Sequence, residues 1–516
     1  MASSPPPTPT PERGMRHAAV RGLLWTAWGK GAQAVLQLAV VAILARLVSP
    51  ADFGIVNAAM IVIGFSAIFS RVGLGPALVQ RQELAERHIA TAYVASPLFG
   101  VFVGAIIWAG APAAARLFRM EGAEPMLRAL ACVFPIKGLG VIGESLLERE
   151  LRFRWLANLE VASFAIGYGV VGVVTAILGW GPWALVAANL GESLVKTGAL
   201  LVARRPPRRL FVERRALMEL VHFGGGFTLG RFFNYLALQG DNFVVGRWLG
   251  PVALGLYGRA YQLMANPAAL FGDVLDKVLF PTMARVQDDP VQLRDTYRRG
   301  VTLIALVMLP ASVVLYVLAP ELILLALGPA WGAVVLPFRI FAVGMLFRTS
   351  YKMSDAIARA TGHVYRRALR QVLYATLVIG GAIVGQRWGI TGVALAVLAA
   401  LAANFAVMAQ LSLRVTGLTW GRFAVAHLPP VLLAAVTLAV AGPVAVTLRA
   451  LAVPGAAVAI LTAAAAAGTA LLAVRVFPLV FLGPDGLWML EVLRAQLSER
   501  IRPARTMEVH RARAVG

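Results

Sequence analysis

The sequence predicts an all-α polytopic membrane protein of about fourteen transmembrane helices, and three observations carry that prediction. The 516 residues are 59% hydrophobic and only 14% charged, whereas soluble domains run near 45–50% apolar and about 25% charged. Apolar stretches of about 20 residues, the length an α-helix needs to cross the hydrocarbon core, recur along the chain. The 48 Lys and Arg gather on alternate connecting segments, as expected of a membrane protein whose basic loops stay in the cytoplasm.

The elements follow in order. Residues 1–18, opening MASSPPPTPTPERG, read as a disordered cytoplasmic tail. No short apolar region with a small-residue cleavage site follows directly, so they do not read as a secretory signal. The spans fall at 23–44, 53–76, 89–112, 125–147, 156–178, 182–202, 220–240, 252–280, 300–319, 333–358, 364–386, 389–413, 424–447 and 451–474. Pro97, Pro135, Pro267 and Pro310 lie inside them and are tolerated as kinks within a bundle. This gives a first lobe over 19–202, a basic linker over 203–219, a second lobe over 220–413 and two further helices within 414–480. In the tail 481–516, Leu490, Leu493, Leu497 and Ile501 recur at three- and four-residue spacing, the pattern of an amphipathic interfacial helix or of a plain solvated tail.

An even number of spans puts both termini on one side, and the charges say which. With a cytoplasmic N-terminus, 31 Lys/Arg fall on inside segments, counting Arg366, Arg367 and Arg370 with the loop before them; 6 fall outside and 11 within spans. The formal charge of +23 therefore reads as topology, beside anionic headgroups, and not as a nucleic-acid surface. One cysteine, Cys132, and six scattered histidines offer neither an intrachain disulfide nor a zinc set. No G-x-x-x-x-G-K-[ST] loop occurs, and no outside loop is long enough to carry paired carboxylates. The expectation is no cofactor and no enzyme.

The chain also matches itself at an offset of 201 residues. RLVSPADFGI from Arg46 aligns with RWLGPVALGL from Arg247, with Arg, Pro and Gly coincident. A weaker echo pairs Trp180-Gly181 with Trp388-Gly389. Copies displaced by six helices share one orientation, so they are parallel repeats of six helices each. Duplicated bundles that rock about a central site are a common design of secondary transporters.

Charges at bilayer depth usually face a bundle interior or a wet cavity. The same offset relates Lys30 to Arg231. Thr26, Lys30, Gln33 and Gln37 share one helical face in the first span, and Asn234 follows Arg231 as Gln33 follows Lys30. These residues, with Arg71, are the candidates for a cationic, polar-lined cavity. The competing reading for Lys30 and Arg231 is snorkelling to headgroups. Glu144 and Glu192 are candidate coupling carboxylates, or simply partners of Lys137 and Lys196. Trp25 and Trp28 fit sugar stacking or an interfacial belt equally.

The run LARLVSPADFGIVNAAMIVIGFSAIFSRVGLGPALVQR (44–81) resembles bacterial polysaccharide flippases of the Wzx type, in the multidrug/oligosaccharidyl-lipid/polysaccharide (MOP) exporter superfamily. The colanic-acid exporter branch is the nearest in look. NYLALQGDNFVVGRWLGPVALGLYGRAYQL (234–263) and VLFPTMARVQDDPVQLR (278–294) are similar too. The sequence departs from that pattern at Arg71, where an acidic residue is common, and in Gly328-Pro329-Ala330-Trp331, which lacks internal charges. The resemblance implies two six-helix lobes forming a V around a central cavity, plus two extra helices. It also implies alternating access and a substrate built on undecaprenyl pyrophosphate, a lipid-linked oligosaccharide, in the bacterial inner membrane. Polysaccharide polymerase and chain-length proteins are the implied partners. The rival readings are a multidrug antiporter of the same superfamily and a non-transporting subunit of a glycan assembly complex.

Overall fold

A computed structural model describes residues 31, 33–70, 74–80, 84–207, 209 and 211–491. They are almost entirely helical and contain no strand. Ten segments are long and apolar enough to cross a membrane. One of them, Tyr365–Thr416, contains two helices, Val364–Gly385 and Gly389–Thr416, hinged at Gly389 with φ 67°. Adding the shorter apolar helix Gln33–Leu47 and the two parts of Arg214–Arg285 gives a layout consistent with fourteen crossings.

Two boundaries differ from the sequence reading. The segment 241–251, read as a loop, continues the helix as far as Gly250, where φ is 86° and the chain breaks before Pro251. Helical backbone is disfavoured for a residue before proline, and glycine takes this left-handed value without strain. The span 333–358 is interrupted as well: a tight turn over Pro329–Val334 leads into Val335–Val343, and Met345–Ala360 follows after Gly344.

The chain forms two compact units. The first comprises the described residues up to Asn266 with Ala326–Pro337 and Gln371–Ala400. Its helix Pro50–Ser70 starts for a local reason: Ser49 Oγ accepts from the Asp52 amide at 3.2 Å and donates to Asp52 Oδ2 at 2.7 Å, and proline occupies the first turn. The helices Glu86–Phe118 and Val133–Arg149 pack along each other, burying Ala92, Tyr93 and Ile142 with Leu78.

The two copies of the repeated motif meet in this unit. A Cβ added at Gly54 would stand 1.8 Å from the Pro251 carbonyl oxygen, and one at Gly255 would stand 1.9 Å from that of Pro50. Each copy therefore lays its glycine on the other's proline, and the helices starting at Pro50 and Pro251 touch backbone to backbone. Small residues at such crossings replace the hydrophobic drive that lipid surroundings remove. Trp331 is fully buried beside this crossing, donating from Nε1 to the Ala45 carbonyl at 2.8 Å and meeting Phe53 edge-on at 5.4 Å.

The second unit comprises Pro267–Leu325, Phe338–Arg370 and the chain from Leu401. Asp289 caps its helix Pro290–Val317, accepting from the amides of Val291 and Gln292. That helix packs against Trp420–Ala450 around stacked rings of Tyr297 and Phe423, with the Tyr297 hydroxyl 3.1 Å from Ser354 Oγ.

Candidate functional site

A cavity of about 530 Å³ opens within the first unit. Gln33 and Gln37 reach it from the helix Gln33–Leu47, and Phe53 and Asn57 from Pro50–Ser70. Gln239 and Asn242 line it before the break at Gly250; Arg259, Tyr261 and Gln262 line it after. Tyr168 and Glu192 close it from the remaining side. Among the described residues the polar lining is six amides, two phenols, one guanidinium and one carboxylate.

The parts are held individually. Tyr168 sits on a wide π-helical stretch, Ala165–Gly172, between Phe153–Phe164 and Val173–Ile177. Such stretches re-aim side chains and recur at functional sites. Tyr168 stacks on Phe164 at 4.9 Å and accepts a hydrogen bond from Asn189 at 3.2 Å. Asp241 is buried and accepts from the Tyr257 hydroxyl at 2.7 Å and the Asn242 amide at 2.8 Å, so the turn bearing Asn242 is fixed.

Arg259 has an unusual setting. Its guanidinium lies 4.2 Å over the Phe53 ring and donates to Gln262 Oε1 at 2.6 Å. It makes no ion pair among the described residues. The ring face supplies part of the stabilisation that a carboxylate would otherwise give and leaves the positive charge available. Phe53 is in turn wedged by Trp331. Among the described lining residues Glu192 carries the one carboxylate. The two charged groups of the described lining, Arg259 and Glu192, balance in formal charge.

Of the residues picked out in the sequence, Gln33, Gln37 and Glu192 meet at this cavity. Glu144 instead pairs with Lys196 at 2.8 Å, and Lys196 also stands 4.0 Å from Glu160. Asn234 is exposed, and its neighbour Tyr235 donates to the Ile61 carbonyl at 2.7 Å. Thr26, Lys30 and Arg71 lie outside the described residues, as does the side chain of Arg231, whose backbone is helical. Sequence reasoning counted Arg259 among the basic residues within spans but did not single it out. The available signal was the pair of polar doublets, Gln239/Asn242 and Arg259/Gln262, each three residues apart and flanking Gly250.

A helical bundle with a polar cavity among its membrane-length helices is the architecture of a multi-pass membrane protein. The fold is like that of a solved lipid flippase and of solved MOP-superfamily transporters. It matches the lipid II flippase MurJ in its inward closed conformation with a TM-score of 0.72 at 12% identity, covering 88% of this chain and 98% of that one. An inward-facing multidrug MATE transporter of the MOP superfamily matches with a TM-score of 0.60 at 18% identity, covering 75% and 95%.

The chain belongs to the polysaccharide biosynthesis protein family, whose sequence pattern matches residues 43–336. It is 24% identical to the teichuronic acid biosynthesis protein TuaB of Bacillus subtilis over 346 residues, 66% of this chain and 71% of TuaB. It is 28% identical to the succinoglycan biosynthesis transport protein ExoT of Rhizobium meliloti over 60% of this chain and 63% of ExoT. The lipopolysaccharide biosynthesis protein WzxC of Escherichia coli is 22% identical over 74% of this chain and 78% of its own length.

Proposed function

We propose that this protein moves a lipid-linked oligosaccharide, the repeat unit of a surface polysaccharide on undecaprenyl pyrophosphate, from the inner to the outer leaflet of the bacterial inner membrane by alternating access. The observation that carries the reading is Arg259, which makes no ion pair among the described residues, in a cavity whose polar lining is chiefly amides. A phosphate about 4 Å from a guanidinium gains about 4 kcal/mol at an effective dielectric of about 20. Amides that both donate and accept suit sugar hydroxyls. The volume suits part of a headgroup; the polyprenyl tail stays in lipid.

A multidrug antiporter taking cationic compounds would want the carboxylate to dominate. Here the carboxylate of the described lining, Glu192, is matched in charge by Arg259, which leaves no negative excess to draw a cationic compound. In this reading Lys30, Arg231 and Arg71 extend the cationic path, Thr26 and Asn234 its polar wall, and Glu192 is the coupling carboxylate, with Glu144 a weaker candidate. The lobes are 19–202 and 220–413, both termini face the cytoplasm, and the chain acts as a carrier and not as an enzyme. Polymerase and chain-length proteins would receive its product.

The test is flipping of a fluorescent undecaprenyl-pyrophosphate oligosaccharide by the purified protein in liposomes. Transport that collapses in Arg259→Ala is expected. An Arg259→Ala protein flipping at the parental rate would overturn the role of this cavity, and a parent protein that flips nothing would favour the assembly-subunit reading.

A further inference from the structure

A second cationic feature lies in the second unit, outside the cavity. On the helix Val364–Gly385, Arg366 and Arg370 stand one turn apart, and Arg414, on Gly389–Thr416, is near enough that its charge and that of Arg366 both act on Arg370. Arg370 is held in place, with Nε donating to the Val407 carbonyl at 3.2 Å and Nη1 to the Arg366 carbonyl at 2.9 Å. Arg366 and Arg414 are exposed.

Four other arginines of this unit have an acidic or aromatic partner. Arg359 and Arg367 both pair with Asp355, the former at 3.0 Å. Arg298 pairs with Asp485 at 2.9 Å, and Arg299 lies 3.9 Å over the Trp488 ring. Arg366, Arg370 and Arg414 form no ion pair among the described residues, although like charges one helical turn apart repel. Beside them, Tyr365 is 91% and Leu369 71% exposed, four residues apart on one helix face. On a membrane-spanning helix, large apolar side chains that exposed contact acyl chains, and a tyrosine at the end of the span sits at headgroup level.

The geometry points to a lipid site: Arg366, Arg370 and Arg414 hold the phosphate of an anionic phospholipid whose acyl chains lie against Tyr365 and Leu369. None of the five lines the cavity of the first unit, so the occupant is a resident lipid of the bilayer and not the cargo. Its phosphate relieves the repulsion among the three guanidiniums, and basic clusters between helices near a membrane surface suit such headgroups.

The full-length protein in nanodiscs of equimolar phosphatidylglycerol and phosphatidylethanolamine, released into detergent for native mass spectrometry, tests this. The parent is expected to retain phosphatidylglycerol. Each of Arg366→Gln, Arg370→Gln and Arg414→Gln should lower retention about fivefold, the factor equivalent to about 1 kcal/mol per basic residue at an anionic surface. The triple Lys variant keeps the charge and should keep most of the lipid, separating lost binding from lost folding. Arg387→Gln, in the turn just beyond the far end of that helix, should change nothing. Equal retention by the parent and the triple Gln variant would overturn the proposal. So would an equal loss in Arg387→Gln, or retention of undecaprenyl phosphate in preference to phosphatidylglycerol in a competition arm.

Discussion

Gly54 and Gly255 occupy the same position in the two copies of a repeated motif, and each lies against the backbone of the other copy, with Pro251 and Pro50 as the respective partners. A duplication at the level of sequence has become a reciprocal crossing in space. Alanine at either position would drive a methyl into a carbonyl oxygen, and backbone cannot swing aside as a flexible side chain can. Each of Gly54→Ala and Gly255→Ala should therefore cost about 1–3 kcal/mol, the usual range for overpacking. Since either change separates the same pair of helices, the double variant should cost well under the sum. Thermal unfolding of the detergent-purified protein reads this. Gly110→Ala, a position with nothing within 4 Å, is the control, and additive losses would show that the two contacts are independent.

Arg259 separates the cavity from the rest of the basic residues. Its charge rests on the Phe53 ring, so Phe53→Leu should remove an interaction of about 0.5–2 kcal/mol without changing any charge. In the flipping assay this appears as a roughly 2- to 30-fold rise in half-saturating substrate, while Phe53→Tyr stays close to the parent. Arg259→Lys keeps the charge but not the planar stacking and should fall between parent and Arg259→Ala. A Lys30→Ala/Arg231→Ala double variant that matches the parent, alongside a dead Arg259→Ala, would confine anion recognition to Arg259.

How much of this was legible in the sequence depended on the distance over which each feature is decided. The spans follow from apolar run length, which is local, and the 201-residue offset showed the repeat that supplies Gly54 and Gly255, though not that its two copies touch. The helix over 241–249 was not legible, because Asp241 and Asn242 read as loop residues. What keeps Asp241 in a helix is the Tyr257 hydroxyl arriving from beyond the Gly250 break, a partner fixed only by folding. The identity of the cavity cation was hidden for a similar reason. Periodicity shows that a helix carries a charge, but the rotation of that helix decides where the charge faces, and here Phe53 helps to set it.

Trp331 tests how the crossing is supported. It is wholly buried, spends its single donor on the Ala45 carbonyl and wedges Phe53. Trp331→Ala should cost about 3–5 kcal/mol through the cavity it leaves, whereas Trp331→Phe should lose chiefly the hydrogen bond, about 1 kcal/mol. Because Phe53 carries Arg259, Trp331→Ala protein that still folds should also bind substrate more weakly. Trp331→Ala with unchanged melting and unchanged transport would remove the tryptophan from this chain of support.

The last prediction concerns acid. Glu321, on the short helix Ala319–Ala326 of the second unit, is buried and meets Arg449 with two hydrogen bonds of 2.7 Å, while Arg449 also donates to the Val317 carbonyl at 2.8 Å. Burial by itself would raise the Glu321 carboxyl, but the hydrogen bonds and charge of Arg449 outweigh it and hold the carboxyl below its ordinary value of 4.5. The unfolded chain therefore binds this proton more readily than the folded one. The pair's contribution is fully present above the ordinary glutamate range and is lost as pH falls through the lower folded value. Glu321→Gln should cost about 1.5–3 kcal/mol at neutral pH, the worth of hydrogen bonds to a charged group. It should also flatten the fall in melting temperature below about pH 4.5, so the difference between parent and variant shrinks on acidification. Melting curves of the two proteins between neutral and strongly acidic pH decide it: parallel acid slopes would mean that Glu321 is not the group whose proton weakens this end of the unit.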